Sequence, residues 1–539
     1  MGGGLLQLVA YGAQDAYITG NPHITFWKVM YKRHTNFAME AMRVNFTGAP
    51  AFGQRVVAVV NRNADLMYRT YVEVTLPDTS TANNGSPVLW TQGGLRRLGY
   101  LMIQQVELEI GGQVMDRQYG EWMFLWETLS SNYDQSFRLD AMVGGDQGGA
   151  MSTLASCNGR PTVLYIPLNF WFCRNPGLAL PLIALQYHEV HINLIFQKEI
   201  NLVQGTAGVS GTIAAAAAAL PNPSEASIYI DYIYLDTDER RRFAQQSHEY
   251  LIDQLQYSLQ QTLTTPNARI DLTLNHPVKE LVWVFQDARK TDCGSTLSVA
   301  QGFTQPFSYD DIVDRCRIQI NGQDRFDERY GDYFWKVQPY QHHTGGAFLP
   351  TRSAMSGSSG AVQAKISSVG GSGQVTIVNG VLTFVTGQTL NAANAQVIAD
   401  NSVITSDSLG LIPAGLTIVA NGTGTGKANT GDTYILSQPV TITIPGTTAL
   451  TFTPPNITFS PAYNPINVYS FALRPEEHQP SGTCNFSRID TATLVFDSKT
   501  TGGTGTFPNK TYPYNFRMYA VNYNIFRVMS GMGGLAYSN

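Results

Sequence analysis

Ile110-Gly111-Gly112-Gln113 recurs in the sequence as Ile320-Asn321-Gly322-Gln323, and each copy is followed by a second shared motif. Tyr119-Gly120-Glu121-Trp122 follows the first copy, and Tyr330-Gly331-Asp332-Tyr333 follows the second after one extra residue. The copies lie 210 residues apart (320 − 110). A strand, a glycine-bearing hairpin turn and a Tyr-Gly-acid-aromatic motif in the same order predict that one domain-sized unit occurs twice. The alternative is a chance similarity of two hairpins, since Gly-containing turns are common.

Alternation of apolar and polar residues extends outward from these hairpins through most of the chain. A two-residue period between turn signals indicates half-buried strands. The clearest examples are residues 106–110, 191–196, 228–234, 317–320 and 493–496. Helical patterns are few, the best being residues 119–129, 237–246 and 327–337. The sequence therefore predicts an all-β protein.

The segment from Ser353 to Pro465 differs in composition from the rest of the chain. It is rich in Gly, Ser, Thr, Asn, Ala and Val, and its charged residues are Lys365, Asp400, Asp407, Lys427 and Asp432. Short alternating stretches at 374–378, 382–385 and 440–444 still predict strands. We therefore expect a small, surface-exposed β-domain inserted in a loop, a position at which insertions are tolerated.

Composition limits the classes of function. The chain has 539 residues, of which 43% are hydrophobic and 14% charged, and its net charge is −5. The low share of charged residues suits surfaces that pack against other protein copies. Because a domain-wide basic field is lacking, we expect no direct binding of nucleic acid. The five cysteines form no CxxC pair and are odd in number, which argues against a zinc ribbon and a disulfide framework.

Two motifs approach known sites without matching them. Gly422-Thr-Gly-Thr-Gly426-Lys427 comes near a phosphate-binding P-loop, but Asn421 occupies the first glycine position and Ala428 the hydroxyl position. His188-Glu-Val-His191 comes near a zinc protease motif, but its histidines are three residues apart and the motif requires four on a helix. A flexible loop and structural histidines are the favoured interpretations.

The acidic and histidine pairs are explained without catalysis. Glu107 and Glu109 fit the solvent face of a strand better than the paired carboxylates of a glycosidase. Residues Glu476-Glu477-His478 fit loop hydrogen bonding better than acid–base chemistry. His342-His343 has no acidic or cysteine partner nearby in sequence, so a surface loop is favoured over a metal site.

A basic cluster and three glycosylation sequons complete the set of candidates. Residues Arg240-Arg241-Arg242 follow Asp238-Glu239, which fits a helix whose charges match its dipole, with phosphate binding as the minor alternative. The sequons begin at Asn84, Asn421 and Asn509, and without a visible secretory signal they are expected to be unmodified. We predict no catalytic residue, no cofactor-binding residue, no metal site and no cofactor.

Five longer stretches carry a resemblance to a known family. These are residues 8–26, from Leu-Val-Ala-Tyr-Gly to Ile-Thr-Phe, and residues 31–38, 167–182, 471–490 and 524–539. They resemble the major capsid proteins of nucleocytoplasmic large DNA viruses, especially those of algal and amoebal viruses. The resemblance covers the chain except for the inserted segment.

The resemblance implies two consecutive eight-stranded jelly rolls and no enzymatic activity. The expected organisation is an N-terminal arm at 1–25, jelly roll 1 at 26–242 and jelly roll 2 at 243–539, interrupted by the insertion at 353–465. The expected partners are two further copies in a homotrimer, neighbouring capsomers, minor capsid and penton proteins, and an internal membrane through indirect contact. The insertion is expected to face the host surface or glycans, and assembly into virions is expected in the host cytoplasm.

A surface β-sandwich that binds or cleaves glycans is the alternative function. It predicts an export signal, aromatic residues clustered on one face and a carboxylate pair in a cleft. An export signal is not visible in the sequence.

Overall fold

The computed structural model describes residues 3–23, 31, 33–77, 79, 88–90, 97–144, 163–205, 210–265, 267–295, 298, 306–345, 465–498 and 513–537, and eight strands between 362 and 453. The helices are α1 Gly3–Val9, α2 Ala13–Thr19, α3 Leu98–Met102, α4 Gly120–Ser130, α5 Tyr133–Val143, α6 Trp171–Arg174, α7 Ser210–Ala219, α8 Thr237–Gln245 and α9 Gln338–His342. A π-helix, Tyr333–Val337, leads directly into α9. Most of the remaining described residues form strands.

The N-terminal half contains eleven strands among its described residues. They are β1 Phe37–Thr47, β2 Arg55–Val59, β3 Leu66–Thr75, β4 Leu89–Trp90, β5 Ile103–Ile110, β6 Gln113–Tyr119, β7 Val163–Pro167, β8 Leu180–Pro181, β9 Val190–Phe196, β10 Val203–Gln204 and β11 Glu225–Leu235. One layer has the order β1-β11-β3-β7 and the other the order β2-β9-β5-β6, all antiparallel. These crossed connections between two four-stranded layers are those of a jelly roll.

The C-terminal half repeats this topology. Its strands are β12 His248–Leu263, β13 Asn267–Asp271, β14 Pro277–Asp287, β15 Val313–Ile320, β16 Gln323–Asp324, β17 Arg329–Tyr330, β26 Asn467–Ser470, β27 Cys484–Asn485, β28 Ala492–Ser498, β29 Tyr514–Met529 and β30 Met532–Leu535. One layer has the order β12-β29-β14-β26 and the other the order β13-β28-β15-β16. Position by position, this is the strand order of the first half. The prediction of a double jelly roll is confirmed.

The repeated sequence motif forms the same hairpin in both rolls. In the first roll Ile110 pairs with Gln113, and in the second Ile320 pairs with Gln323. All four turn residues have positive φ, between 49° and 83°. Positive φ at both central positions defines the type I′ turn, which Gly-Gly and Asn-Gly favour because neither dipeptide is strained there.

The glycine of the second shared motif has a packing role in each roll. A Cβ atom on Gly120 would overlap the carbonyl oxygens of Tyr100 and Ile103, and one on Gly331 would overlap that of Val313. Ile103 begins β5 and Val313 begins β15. Both copies therefore need a glycine where the chain crosses the start of the preceding strand.

Each roll has its own core between its two layers. Val72 and Ile228 face Leu108 and Ile192 in the first roll, and all four are fully buried. In the second roll the core includes Trp283, Phe516, Ile318 and Leu494. Alternate residues on the strands point away from these cores, as the two-residue period predicts.

The outward face of β29 is also buried. Residues 514–524 of this strand are buried without a break. Phe516, Met518 and Ala520 belong to the core of the second roll, whereas Tyr519 and Val521 belong to the cluster that fills the first roll. The first roll therefore packs against one sheet of the second.

The inserted segment contains eight described strands. They are β18 Val362–Lys365, β19 Val375–Val378, β20 Val381–Phe384, β21 Val403–Ser406, β22 Ile418–Asn421, β23 Thr433–Leu436, β24 Ile442–Ile444 and β25 Ala449–Thr453. They form two sheets, β18-β25-β21 and β22-β23-β20-β19-β24, and within the described part of the chain they pair with no strand of either roll. The predicted strands of this segment are confirmed.

Helices α4 and α8 confirm two sequence predictions, whereas the helix expected at residues 327–337 is partly wrong. There Arg329–Tyr330 is strand β17, which pairs with β15, and helical structure begins only after Gly331. The two N-terminal helices, which the sequence pattern did not predict, expose their apolar residues. None of the helices in the described ranges is long and apolar enough to span a membrane.

Candidate functional site at the junction of the two jelly rolls

Helix α4 of the first roll places Glu121 against the outward face of the second roll. The Arg517 guanidinium of β29 donates two hydrogen bonds to this carboxylate, from Nε to Oε2 and from Nη2 to Oε1, each 2.7 Å long. The hydroxyl groups of Tyr519 and Tyr309 donate to the same carboxylate at 2.5 and 3.0 Å. Gln286 accepts from Nη2 of Arg517 at 2.6 Å. The two carboxylate oxygens of Glu121 thus accept four hydrogen bonds from the second roll.

Burial controls the electrostatics of this network. The side chains of Glu121 and Arg517 are only 13% and 9% exposed. Burial acts to lower the pKa of Arg517, but the negative charge of Glu121 outweighs it and the pKa is raised. Burial, and then the charge of Glu121, raise the pKa values of Tyr519 and Tyr309 well above 10. The two tyrosines therefore stay protonated as donors to the carboxylate.

Aromatic rings surround the network. Tyr119 of the first roll lies 4.7 Å from Tyr257 of the second, measured between ring centroids. Trp122 lies 5.4 Å from Tyr519, and Phe124 stacks on Phe307 at 4.7 Å. Such contacts add to the free energy gained by removing apolar area from water.

A second polar contact crosses the junction at Asp253 of β12. Lys279 donates to this carboxylate at 3.0 Å, and Arg174 of α6 lies 3.7 Å from it. Arg174 also stacks on Trp126 of α4, with 4.2 Å between the guanidinium carbon and the ring centroid. The first roll therefore supplies a cation to a nearly buried acid of the second.

Strand β6 adds a third contact. The backbone N–H of Leu255 on β12 donates to Asp116 on β6 at 3.2 Å. Burial raises the pKa of Asp116 to about 6, and hydrogen bonds to its carboxylate, beginning with that from Leu255, act in the opposite direction.

A buried histidine lies where the inserted segment departs from the second roll. His343 Nε2 lies 3.1 Å from Glu280, and Nδ1 lies 2.9 Å from Glu476. The imidazole ring thus lies between two carboxylates, one at each nitrogen atom. Burial acts to lower the pKa of His343, but Glu280 and then Glu476 outweigh it and raise the pKa to about 9.

The residues after His343 connect this cluster to the first roll. Thr344 donates from its hydroxyl to the carbonyl oxygen of Ser130 at 2.9 Å, and the Gly345 N–H donates to that of Leu129 at 2.7 Å. Both acceptors lie at the C-terminal end of α4. The residues from His343 to Gly345 are thus fixed to both rolls.

The C-terminal hairpin closes the junction from the other side. The Tyr187 N–H donates to the carbonyl oxygen of Gly531, and the N–H of Gly533 on β30 lies 3.2 Å from Nδ1 of His188. Arg62 holds this loop by donating to the carbonyl oxygens of Gln186 and His188, both at 2.7 Å. Contacts at five separate places therefore fix the relative orientation of the rolls.

Two interpretations made from the sequence are wrong about the environment of the residue. Glu107 does not lie on an open solvent face. Arg117 donates a hydrogen bond of 2.6 Å to its carboxylate, and only 10% of the Glu107 side chain is exposed. His343 does not lie in a surface loop, because Glu280 and Glu476 reach it from distant parts of the sequence. Neighbourhood in sequence is a poor guide to the partners of a buried charge.

The remaining candidates fit their simpler interpretations. His188 packs over the Gly111 turn, whereas His191 pairs with Glu189 on the surface at 3.2 Å. Glu477 pairs with Arg474, and His342 lies 3.1 Å from the carbonyl oxygen of Leu473. In the basic cluster, Arg240 of α8 forms an ion pair of 2.9 Å with buried Asp65.

The P-loop-like residues 422–428 lie outside the described residues, as do the sequon residues Asn84 and Asn509. Asn421 ends strand β22. Cys173, Cys293, Cys316 and Cys484 are free thiols. Within the described ranges no three His, Cys, Asp or Glu residues gather in a way that could hold a metal ion. The observed clusters are ion pairs that join structural elements.

The junction residues were missed by the sequence analysis, although one signal for them was present. Glu121 is the acidic residue of the repeated Tyr-Gly-acid-aromatic motif, which we used only as a sign of duplication. Arg517 lies among the mostly apolar and aromatic residues of β29, where an arginine indicates a buried partner. Neither residue indicates the other without the fold.

Comparison with known proteins identifies the family. A family model described as "Major capsid protein N-terminus" matches residues 25–236, and one described as "Large eukaryotic DNA virus major capsid protein" matches residues 239–409 and 454–534. The major capsid protein of Phaeocystis pouchetii virus is 40% identical over 578 residues, with all of both chains covered. The chain belongs to the major capsid proteins of large eukaryotic DNA viruses.

Solved structures of this capsid protein family have the same fold. A crystal structure of PBCV-1 VP54, fitted into a cryo-EM reconstruction of the virophage Sputnik, matches with a TM-score of 0.61 and 29% identity. A quasi-atomic model of the PBCV-1 virus capsid matches with a TM-score of 0.60 and 28% identity. Each match covers 96% of this chain and 100% of the other. As a major capsid protein, the chain is a structural component of the virion shell, and the glycan-binding alternative is not favoured.

Proposed function

We propose that three copies of this chain form a pseudo-hexagonal capsomer, and that such capsomers tile an icosahedral shell. The observation that carries the proposal is the repetition of one strand order in two rolls joined by a buried junction. Three copies then supply six similar lobes, and a ring of six similar lobes has edges that suit a flat hexagonal array.

The proposed division of the chain follows the same logic. Residues 1–25 form an arm, residues 26–242 and 243–539 form the two lobes, and residues 353–465 project from the second lobe. Helix α8 lies between the last strand of the first roll and the first strand of the second, which supports a boundary near residue 242. The apolar residues exposed on α1 and α2 support a role of the arm in binding other proteins.

The proposed partners are neighbouring capsomers, minor capsid proteins and penton proteins, with an internal membrane reached through them. The net charge of −5 supports a shell that does not bind nucleic acid directly. The insertion is proposed to meet the host surface or its glycans. Assembly is proposed in the host cytoplasm, and the role is structural without catalysis.

The mass of the purified protein in solution tests the trimer. The chain has a mass of 59.1 kDa, and light scattering coupled to size-exclusion chromatography should give three times this value at micromolar concentration. A mass equal to that of one chain would contradict the proposal, as would a dimer.

A further inference from the structure

The N-terminal arm, residues 1–25, exposes the large apolar side chains of its two short helices. The arm contains one acidic residue, Asp15, and it has no lysine or arginine. Each of its large apolar side chains in the following set is more than half exposed: Leu5, Leu6, Leu8, Val9, Tyr11, Tyr17 and Ile18. An apolar surface of this size with so little charge indicates that another molecule covers it.

Hydrogen bonds among its own residues give the arm a defined shape. The hydroxyl groups of Tyr11 and Thr19 lie 3.2 Å apart, and the Thr19 hydroxyl also donates to the carbonyl oxygen of Asp15 at 2.7 Å. The Gly12 N–H donates to the Asp15 carboxylate at 2.8 Å. No residue of α2 is buried. The arm is therefore preorganised for a partner that a single chain does not supply.

A second exposed apolar surface lies at the C-terminal hairpin. We define the hairpin patch by Tyr187, Met529 and Met532, which are between 48% and 75% exposed. Met529 on β29 and Met532 on β30 are directly paired, so their side chains lie on the same face of the hairpin. A Cβ atom on Gly531, between them, would overlap the ring of Tyr187. The three side chains therefore form one continuous patch, and flexible methionines adapt to the shape of a partner.

The strand that follows the arm begins at the same end of the molecule as the hairpin patch. Phe37 begins β1 and pairs with Leu235, whose N–H donates to Asp65 at 2.9 Å. Arg62, three residues before Asp65, binds the carbonyl oxygens on both sides of Tyr187. In a shell whose copies share one orientation, the arm of each copy therefore starts at the level of its neighbour's patch.

The connection between the arm helices and β1 is long enough to reach a neighbouring copy. Thirteen residues, 24 to 36 (36 − 23), separate His23 from the start of β1 at Phe37. A chain of this length spans up to roughly 45 Å when it is extended. Four strands about 4.8 Å apart make a layer about 20 Å wide. The arm can therefore pass beyond one lobe.

We infer that the arm of one copy lies on the hairpin patch of the next copy in the trimer, so that three arms are exchanged in a closed ring. The inference rests on the proposed trimer. A second copy is the occupant because the chain itself exposes both apolar surfaces at one end. The charges agree, since Arg62 binds neutral carbonyl oxygens beside the patch and Asp15 is the one acid of the arm. A lipid surface fits less well, because an arm without lysine or arginine gains nothing from anionic headgroups.

Photo-cross-linking identifies the molecule that covers the arm. The full chain is prepared with the photo-reactive amino acid p-benzoylphenylalanine in place of Tyr17 and irradiated as the purified trimer. A band at twice the chain mass of 59.1 kDa should appear in a denaturing gel. Mass spectrometry should place the cross-link within residues 185–189 or 527–537 of the second copy. Cross-links confined to one chain, or to any other region of the second copy, would overturn the inference.

Hydrogen–deuterium exchange measures how firmly the arm is held. Met532→Glu places a charge in the apolar contact, so the backbone amides of residues 3–19 should exchange about tenfold faster than in the wild-type trimer. The control Leu259→Glu changes a residue that is 80% exposed and lies far along β12 from the hairpin, so exchange in the arm should stay unchanged. Circular dichroism should show that both variants are folded, because the replaced side chains are exposed.

The outcomes separate the arm contact from the proposed function. If the wild type is trimeric and Met532→Glu leaves exchange in the arm unchanged, the inference is wrong and the proposed function stands. If the wild type is monomeric, the proposed function itself fails. The trimer should also not float with vesicles of phosphatidylcholine and phosphatidylserine. Flotation that disappears when residues 1–25 are removed would show that lipid covers the arm, and it would overturn the inference.

Discussion

Glu121 and Asp332 occupy the same place in two copies of one motif, but their surroundings differ. Glu121 receives four hydrogen bonds across the junction, whereas Asp332 forms an ion pair with Lys336 in which both side chains are almost half exposed. Solvent screens the second pair and not the first. The acidic residues at equivalent positions of the two motifs should therefore contribute very differently to stability.

Glu121→Gln should lower the free energy of unfolding by about 3–5 kcal/mol, because it leaves the Arg517 guanidinium buried without a counter-charge. Urea denaturation followed by tryptophan fluorescence measures the change. The matched control Asp332→Asn should cost less than about 1 kcal/mol, since exposed ion pairs contribute little. Equal losses in the two variants would show that Glu121 is not a buried partner.

Because of His343, the free energy of unfolding of the chain should decrease at alkaline pH. Its pKa is raised from 6.5 to about 9 in the folded protein by Glu280 and Glu476, against the effect of burial. A raised pKa means that the stabilisation is complete below about pH 6.5 and is lost as the pH rises through about 9. The urea concentration at the unfolding midpoint should therefore decrease as the pH is raised from about 6.5 to about 9.

Measurement of the urea midpoint from pH 6 to pH 10 checks this expectation. His343→Gln removes the titrating group, so the fall attributable to it should disappear in that variant. A wild-type midpoint that rises with pH over the same range would contradict the proposed charge state.

Individual residues also show where sequence analysis reaches its limit. The hairpin register at Ile110 and Gln113 was predictable because a turn is determined by adjacent residues. The partners of His343 lie 63 residues before it and 133 after it in the sequence, so only the fold brings them together. Glu107 was placed on the correct strand, but the arginine that covers it was not foreseen.

At the scale of elements, the connection from hairpin to helix is the most constrained feature of each roll. Gly120 begins α4 at the point where the chain crosses the start of β5. The position has no room for a side chain because backbone oxygen atoms line it. Its counterpart Gly331 meets the backbone of Val313 in the same way.

Gly120→Ala should destabilise the chain by about 1–3 kcal/mol or more, because the backbone must shift to accommodate the methyl group. Differential scanning calorimetry should show a lower melting temperature. The control Gly211→Ala lies in α7 with no atom near the added methyl group, and it should stabilise the protein by up to about 1 kcal/mol. A neutral Gly120→Ala would contradict the close approach.

The elements were predicted unevenly for a physical reason. Strands with a strict two-residue period, such as β9 and β11, were placed within a few residues of their observed ends. The region at 327–337 was misassigned because β17 is set by pairing with β15, which is a contact between separate segments. Strands held mainly by tertiary pairing have no strong signal of their own.

At the scale of the whole molecule, the two rolls form one unit while the insertion pairs with itself. The junction combines ion pairs, aromatic contacts and the C-terminal hairpin. The described strands of the insertion make no ladder with either roll. The rolls should therefore fold without it.

Replacing residues 353–465 by a short Gly-Ser linker should leave the oligomeric state and the melting temperature nearly unchanged, within about 4 °C. Light scattering and calorimetry on the shortened chain check both quantities. Loss of the oligomer would show that the insertion takes part in assembly. Glu121→Gln in the shortened chain should lower the free energy of unfolding by the same amount as Glu121→Gln in the full chain. Equal losses would show that the junction acts independently of the insertion.

The insertion lies between α9 and β26, and its described strands pair only with one another, so it is comparable to an exchangeable cassette. Its length and sequence can therefore change without altering the strand pairing of either roll. In the proposed assembly, selection imposed by the surroundings of the particle and selection for shell geometry would act on separate stretches of a single gene.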